Sequence, residues 1–456
     1  MSSFEVVNPA TCRSVRSYPG HSTEQVQSIL GQVDAAQREW STTRFAERAR
    51  HLRVAGEALR ERAGELAERM AEEMGKPVSQ GRSEAEKCAW VCDYYADHGE
   101  SFLEPEDAET DATHSFVAYR PLGVVLAVMP WNFPFWQVFR FLAPALMAGN
   151  GGVLKHASNV PGCALAIEEL IRRAGFPRHI FRTLLISSDQ VAAVLEDDRV
   201  RAATLTGSTP AGRAVAAKAG EQLKKTVLEL GGSDPYLILA DADLAAAAAI
   251  CAQSRLINSG QSCIAAKRFI VVESVRETFE RLLLAEMSEA KMGDPMDEAT
   301  DLGPQAREDL RDELHEQVER SLEAGARCLL GGEIPAGDGA FYPPTVLTDV
   351  ARGMAAYEEE LFGPVAAIIP VSDEEEAIRV ANDSDFGLGA AVFTADTERG
   401  ERIATERLEA GCCFVNDFVK SDPRLPFGGI KQSGYGRELA RFGIREFVNT
   451  KTVYVR

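Results

Sequence analysis

Apolar residues recur at helical spacing in the first quarter of the chain. Between residues 23 and 74 they are interspersed with Ala, Glu and Arg, in the pattern of long amphipathic helices. Gly75 and Pro77 are expected to end this run, and a further helix is predicted at about residues 82–98. The acidic and polar residues 104–113 are predicted to form a loop.

From about residue 119 the pattern changes to short apolar runs separated by helical segments such as 135–148 and 164–174. Residues 124–129 are all apolar, which is typical of a strand in a buried parallel sheet. Further strands are predicted at 153–154, 181–186, 202–206, 226–230, 236–239, 269–272, 366–370 and 390–393, with strand-like segments near 119 and at 451–455. This alternation predicts two doubly wound α/β domains joined around Gly231 and Gly232.

Composition and charge exclude several classes of partner. The chain has 456 residues, 45% hydrophobic and 26% charged, as expected for a globular protein of two or three domains. No apolar stretch is long enough to cross a bilayer, and a net charge of −20 disfavours nucleic acid as a partner. The nine cysteines lack paired spacing and no signal peptide is visible, so a cytoplasmic protein with free thiols is predicted.

One thiol lies in an unusual segment. Cys263 ends the sequence Asn-Ser-Gly-Gln-Ser-Cys, residues 258–263, between a helical run and the strand predicted at 269–272. On such a loop, backbone N–H groups can face the sulfur and a substrate can approach it. A single Cys in a loop is usually not a nucleophile, so this interpretation depends on other segments of the chain.

Two polar residues could assist such a thiol. Asn132 lies in Pro-Trp-Asn-Phe-Pro, residues 130–134, where it could donate to the oxyanion that forms when a thiol attacks a carbonyl. Glu229 lies in Leu-Glu-Leu-Gly-Gly, residues 228–232, and burial would raise its pKa and suit it to accept a proton from water. The ordinary alternatives are an Asn in a Pro-bounded turn and a Glu on the exposed face of a strand.

Together with Glu-Leu-Phe-Gly-Pro at residues 360–364, these segments resemble the aldehyde dehydrogenase superfamily in their order and spacing. The resemblance covers essentially the whole chain and implies the aldehyde dehydrogenase fold, an α/β architecture. It also implies that Cys263 is the nucleophile, that Asn132 and the Cys263 N–H form the oxyanion hole, and that Glu229 is the general base for thioester hydrolysis. No metal is expected at this site.

The resemblance implies NAD or NADP as the cofactor. Residues 206–212 open a predicted helix, whose N-terminus would favour a pyrophosphate, although G-x-G-x-x-G is absent. Ser158 stands where strictly NAD-using relatives tend to have Glu, so NADP should be tolerated. The residues expected to bind the cofactor are Trp131, Lys155, Ser158, Gly207, Ser208, Glu360 and Phe362.

The family's organisation implies three functional parts in this chain. The cofactor-binding domain is expected at residues 1–112 and 124–231, and the catalytic domain at 232–427. Residues 113–123 and 440–456 are expected to form a small β element for oligomerisation. A homodimer or homotetramer is therefore predicted.

The substrate is predicted to be a small aldehyde that carries a carboxylate. Arg140 follows Asn132 by eight residues, about two helical turns, and would pair with that carboxylate. Succinate-semialdehyde dehydrogenases have an Arg at this place, and the local sequence looks closest to short bacterial NAD(P)-linked enzymes of that activity. Trp136 and Ser421 are expected to contact the same substrate, and Lys420 and Arg424 could add positive charge.

Other functions remain open. If Arg140 is structural, a broad-range dehydrogenase of aliphatic or aromatic aldehydes is the alternative. A non-enzymatic binding member of the fold is disfavoured because Cys263, Glu229 and Asn132 are all present, and Glu229 also argues against a CoA-acylating enzyme.

Overall fold

The computed structural model describes residues 3–456. In chain order its strands are β1 (Ser3–Asn8), β2 (Arg13–Pro19), β3 (Glu106–Asp107), β4 (His114–Pro121), β5 (Val124–Met129), β6 (Gly151–His156), β7 (Phe181–Thr183), β8 (Val200–Thr206), β9 (Lys225–Glu229), β10 (Pro235–Ile238), β11 (Arg268–Val272), β12 (Arg327–Leu330), β13 (Thr345–Thr348), β14 (Val365–Val371), β15 (Phe386–Gly387), β16 (Gly389–Phe393), β17 (Cys412–Val415), β18 (Ile430–Lys431), β19 (Gly434–Tyr435) and β20 (Val448–Val455).

The helices follow the same order. They are α1 (Thr23–Trp40), α2 (Phe45–Glu61), α3 (Ala63–Met74), α4 (Val78–Phe102), α5 (Trp136–Ala148), α6 (Pro161–Arg173), α7 (Val191–Glu196), α8 (Thr209–Glu221), α9 (Leu244–Leu256), α10 (Arg276–Ser288), α11 (Glu308–Glu323), α12 (Ala355–Glu358), α13 (Glu374–Asn382), α14 (Thr397–Arg402) and α15 (Ala440–Glu446).

The predicted helical first quarter is confirmed as four helices. Residues 23–74 contain α1, α2 and α3, and α4 begins directly after Pro77, four residues earlier than predicted. A capping box starts α1: the Ser22 hydroxyl accepts from the Gln25 N–H at 3.3 Å, and Gln25 Oε1 accepts from the Ser22 N–H at 2.7 Å. The β1–β2 hairpin was not predicted, because β2 is almost entirely exposed and lacks alternation.

A six-stranded sheet has the order β19-β9-β8-β5-β6-β7, with only β19 antiparallel. The predicted strand at 124–129 coincides with β5, and the predicted positions of β6, β8 and β9 lie within two residues of the structure. The strand predicted at 181–186 is wrong beyond Thr183. Leu184 and Ile186 are buried as a loop in the core, so their apolar character reflects packing rather than a strand.

A seven-stranded sheet has the order β12-β13-β14-β11-β10-β16-β17, parallel except for the edge strand β12. The predicted strands at 236–239, 269–272, 366–370 and 390–393 match β10, β11, β14 and β16 closely. The four-residue strands β12, β13 and β17 were not predicted. A run of four residues gives only a weak pattern, and β10 is the one strand of this length that was predicted.

The strand-like segments predicted near residue 119 and at 451–455 pair with each other as β4 and β20. All eight residues of β20 pair with β4 in an antiparallel ladder that runs from Val448 opposite Pro121 to Val455 opposite His114. The prediction of a loop at 104–113 is wrong for the two residues of β3, which pair with the edge of β4 opposite β20. Tyr454 and Val455 are about half exposed on this three-stranded sheet.

The two parallel sheets meet end to end. Only residues 230–234 separate the carboxyl end of β9 from the amino end of β10. Loops at the carboxyl edge of the first sheet therefore face loops at the amino edge of the second, and most of the residues singled out in the sequence lie at this junction. Within residues 3–456, no helix has both the length and the apolar composition needed to cross a membrane.

Candidate active site

The loop that carries Cys263 is shaped by left-handed backbone. After α9 the chain makes a tight turn in which Asn258, Ser259 and Gly260 have φ angles of 55°, 54° and 76°. At Gly260 a side chain would collide with the backbone of Gly363, so the loop packs directly against the Glu-Leu-Phe-Gly-Pro segment. This contact brings two motifs together that lie about a hundred residues apart in the sequence.

A cavity of about 390 Å³ opens at Cys263. Its walls come from α4, α5, the Cys263 loop and the loop that follows β17. The lining side chains include Gln80, Ser83, Glu84, Lys87, Phe133, Trp136, Gln137, Arg140, Cys263, Phe418, Lys420, Ser421 and Phe427. The three predicted substrate residues, Trp136, Arg140 and Ser421, are thus in the same cavity as the thiol.

Asn132 is fixed beside the Cys263 loop by amide hydrogen bonds. Its Nδ2 donates to the Gln261 carbonyl at 3.1 Å, while Asn258 Nδ2 donates to the Asn132 carbonyl at 2.7 Å and to the Gln261 carbonyl at 3.1 Å. Asn132 is only 4% exposed. An amide nitrogen carries two protons, so one N–H of Asn132 remains for an oxygen formed near the sulfur.

Glu229 is a buried carboxyl without hydrogen-bond partners. It ends β9 opposite Thr206 of β8 and Gly434 of β19, and within the described chain neither of its carboxyl oxygens has a hydrogen-bond partner. Burial raises the pKa of Glu229 well above its ordinary value, the negative charge of Glu438 adds to this, and the positive charge of Arg140 opposes it. The alternative of a Glu on an exposed strand face is wrong, because only 2% of the residue is exposed.

Arg140 is a buried cation with a carboxylate partner of its own. It forms an ion pair with Glu438, donates to Thr206 Oγ1 at 3.3 Å and lies 4.7 Å from the centre of the Phe427 ring. Arg140 and Glu438 are 2% and 4% exposed. Removing the Arg140 side chain would therefore leave Glu438 buried without its counter-charge, a destabilising change that goes beyond loss of substrate binding.

Protein surrounds most of the Cys263 thiol, although the residue is partly exposed to the cavity. Burial raises the pKa of Cys263 to about 12, against the lowering effect of Arg140 and Lys267. Lys267 Nζ donates to the carbonyls of Ser262 and Cys263 at 3.0 and 2.8 Å, so this buried ammonium also holds the loop. At neutral pH in this state Cys263 is a thiol rather than a thiolate.

Most predicted cofactor residues lie where three neighbouring strands end. Trp131 follows β5, Lys155 is the fifth residue of β6 and Gly207 follows β8. The chain order reverses between β5 and β8, and α/β sheets bind ligands in the crevice at such a point. Ser208 is the N-cap of α8, but its hydroxyl makes no capping bond. The sheet thus brings these residues together at one edge.

Glu360 and Phe362 approach this crevice from the second sheet. The Phe362 ring contacts the Trp131 ring edge to face, with 5.7 Å between centroids. Glu360 Oε1 accepts from the Gly232 N–H at 3.1 Å and lies 3.4 Å from Lys267 Nζ. Burial raises the pKa of Glu360 above its ordinary value, and Lys267 opposes this shift.

Lys155 and Ser158 have no charged partner. Burial lowers the pKa of Lys155, whose Nζ has no carboxylate within 4.0 Å in the described chain. Ser158 lies exposed in the turn after β6. Both side chains are therefore available to a polar ligand at the edge of the crevice.

Sequence reasoning missed three charged residues of the site, Lys76, Glu84 and Lys87. Glu84 Oε1 accepts from the N–H groups of Phe135 and Trp136, both at 2.9 Å, and the same carboxylate pairs with buried Lys76. Glu84 therefore caps α5 and fixes the segment that carries Asn132. In the sequence, Glu84 and Lys87 look like part of a solvated helix face; only the spacing that they share with Gln80 and Ser83 marks one side of the helix.

Comparison with known proteins agrees with the fold and the sequence motifs. The pattern of the aldehyde dehydrogenase family matches residues 1–453. The chain is 52% identical over 452 residues to a probable succinate-semialdehyde dehydrogenase (NADP(+)) of Synechocystis sp., covering 98% of this chain and 99% of that protein. It is 48% identical over 448 residues to a succinate semialdehyde dehydrogenase (NAD(P)+) of Escherichia coli, covering 98% and 97%.

Solved structures are similar along the whole chain. The crystal structure of succinic semialdehyde dehydrogenase from Streptococcus pyogenes, in complex with NADP+, is 39% identical, covers 99% of both chains and has a TM-score of 0.97. This chain belongs to the aldehyde dehydrogenase family, and the predicted fold class is confirmed.

The burial of Glu229 predicts a pH-dependent effect on stability. Its pKa is raised in the folded chain, whereas in the unfolded chain a Glu ionises near pH ~4.3. Between these two values unfolding releases a proton, so the free energy of unfolding falls as pH rises, by up to about 1.4 kcal/mol per pH unit. Because Gln does not ionise, Glu229→Gln should raise the Tm more at pH 8 than at pH 5 in scanning calorimetry. An equal shift at both values would contradict a neutral buried carboxyl.

Proposed function

We propose that this protein oxidises succinate semialdehyde to succinate with NAD or NADP, through a thioester on Cys263. The observation that carries the proposal is the cavity itself: a thiol, the buried Arg140 and the half-buried Lys87 share one pocket in a protein with a net charge of −20. Relatives about half identical over nearly the full length have this activity in their names.

In the proposed reaction, the Cys263 thiol gives up its proton to solvent and Sγ attacks the aldehyde carbon. The carbonyl oxygen becomes an oxyanion that accepts from Asn132 Nδ2 and the Cys263 N–H. NAD(P), when bound, supplies the acceptor for the hydride that leaves the substrate carbon. Glu229, in its ionised form, then takes a proton from water while the water oxygen attacks the thioester carbon. The C–S bond breaks, Glu229 returns the proton to the sulfur, and the carboxylic acid is released.

Because their pKa values are raised, Cys263 and Glu229 must each lose a proton before they act as nucleophile and base. A buried carboxylate is a stronger base than one in water, so transfer of a proton from a buried thiol or from water costs less than it would to an exposed Glu. Arg140 acts on both groups, since its charge opposes the pKa shift of each. Entry of water, substrate or cofactor would change the burial on which both shifts depend.

The crevice at the β5–β8 switch fits a dinucleotide. A side chain at Gly207 would have its nearest neighbour at 3.7 Å, the Ser208 hydroxyl makes no cap, and Lys155 has no charged partner in the described chain. We assign the pyrophosphate to Gly207 and Ser208, the adenosine ribose to Lys155 and Ser158, and the nicotinamide ribose to Glu360 and Phe362, with Trp131 beside it.

We further propose a cytoplasmic homo-oligomer, with the domain bounds predicted above. All nine cysteines are among the described residues, and each is a free thiol, as is usual in a reducing compartment. The half-exposed apolar residues Tyr454 and Val455 on the β4–β20 sheet support a subunit contact there.

The substrate assignment is tested by comparing succinate semialdehyde with butanal, which has the same number of carbons but no carboxylate. We expect kcat/KM to favour succinate semialdehyde with either cofactor, and Cys263→Ala to abolish NAD(P)H formation from both aldehydes. Equal or better use of butanal by the wild type would instead support a broad-range dehydrogenase, with Arg140 neutralised by Glu438.

The role of Glu229 is tested in the pre-steady state. Glu229→Gln should retain a burst of NAD(P)H and lose steady-state turnover, because a base is needed to activate water and less so to form the first covalent bond. Stopped-flow absorbance measures both phases. If the burst disappears together with turnover, Glu229 serves the thiol rather than water.

Cofactor choice is tested at Ser158. Ser158→Glu should weaken the use of NADP relative to NAD by about 1–3 kcal/mol, because a carboxylate would meet the 2′-phosphate. Ser158→Ala is the matched control that removes the hydroxyl without adding charge. An unchanged NADP/NAD ratio of kcat/KM in Ser158→Glu would remove this residue from the cofactor site.

A further inference from the structure

Lys87 lines the cavity from α4, a helix in which the sequence predicted no functional residue. Gln80, Ser83, Glu84 and Lys87 line the cavity from one side of α4, at the i, i+3, i+4 and i+7 spacing of a single helix face. Lys87 is therefore directed into the same space as Cys263, although it precedes Cys263 by 176 residues.

Contacts hold the Lys87 ammonium against two predicted substrate residues. Lys87 Nζ donates to Ser421 Oγ at 2.9 Å and lies 4.4 Å from the centre of the Trp136 ring. Trp136 Nε1 donates to the same Ser421 oxygen at 3.1 Å. Since Ser421 Oγ accepts two bonds, its own proton is free to donate, and two protons of Lys87 are also free.

Lys87 differs from the other cations of the cavity in lacking a carboxylate. Among the cationic side chains that line it, Arg140 pairs with Glu438, and Lys420 pairs with Asp417 at 2.6 Å. No carboxylate lies within 4.0 Å of Lys87 Nζ in residues 3–456. Burial lowers the pKa of Lys87 to about 8, and the nearby charge of Arg140 adds to this shift.

We infer that Lys87, together with the Ser421 hydroxyl, is the site that binds the carboxylate of the substrate. An ammonium that is partly desolvated and unpaired gains more from an incoming anion than one already neutralised by a buried carboxylate. The inference rests on the proposed function, because it names the group that recognises the acid end of succinate semialdehyde. Arg140 then supplies positive potential behind the site rather than the primary contact.

The test replaces Lys87 with Met, which keeps the length of the side chain and removes its charge. We expect Lys87→Met to lower kcat/KM for succinate semialdehyde roughly 10- to 100-fold, mainly through KM, and to change kcat/KM for butanal less than about 3-fold. Lys87→Arg should restore most of the preference for the anion. Lys218→Met is the matched control, since it also removes one positive charge but from a lysine outside the cavity that is already paired with Glu196 and Glu221.

The outcomes separate this inference from the proposed function. A wild type that does not prefer succinate semialdehyde to butanal overturns the proposed substrate, and the inference with it. A wild type with that preference, retained in Lys87→Met, overturns the assignment of Lys87 alone. Equal losses for both aldehydes would show that Lys87 only holds the Ser421 loop. If circular dichroism shows that Lys87→Met does not fold, kcat/KM for both aldehydes is measured in Lys87→Gln instead, and the same outcomes apply.

Discussion

The site depends on the amide contacts that join two loops from different sheets. Asn132 follows the last residues of a strand in the first sheet, and Gln261 precedes a strand in the second. Their hydrogen bond, and the two made by Asn258, fix the distance between a donor amide and a thiol that no single element carries. The left-handed turn at Asn258 to Gly260 is required for this contact, because it turns the Asn258 amide back toward the Asn132 carbonyl.

Around this junction, three pairs of oppositely charged side chains lie largely buried in the protein. Glu84 with Lys76, Arg140 with Glu438, and Lys267 with Glu360 each place ionisable groups where water is largely absent. Buried pairs add little net stability, since the cost of desolvation offsets most of their attraction. Their consequence here is chemical: the charges of Arg140 and Lys267 oppose pKa shifts that burial causes in Glu229 and Cys263, and Glu84 orients the segment that carries Asn132.

Because the protein has a net charge of −20, an anionic substrate depends on the cationic side chains of the cavity for its recognition. Salt screens a long-range repulsive field over roughly 8–10 Å, so an anionic substrate is recognised by the charges it touches. Those charges come from three elements that are distant in sequence: α4, α5 and the loop after β17. Ser421 links them, since it accepts hydrogen bonds from both Lys87 and Trp136.

The sequence by itself determined the fold class, most strands of the two parallel sheets, and the segments that meet at the site. Those features follow from local patterns: continuous apolar runs such as 124–129, and motifs whose residue types suit particular chemistry. It did not reveal the β1–β2 hairpin, β12, β13 or β17, because β2 is exposed and a four-residue run gives only a weak pattern; β10 is the one strand of that length that was predicted.

Only the tertiary structure decided which charges face the cavity and which neutralise one another. Arg140 could be placed on a helix face from its spacing, but its pairing with Glu438 depends on contact between residues 298 positions apart. The sequence places Lys87 on a predicted helix but assigns it no role; its position in the cavity follows from the packing of α4 against α5 and the loop of Ser421. Such pairings, and the burial that gives them their chemical effect, arise from the folded arrangement of all three elements.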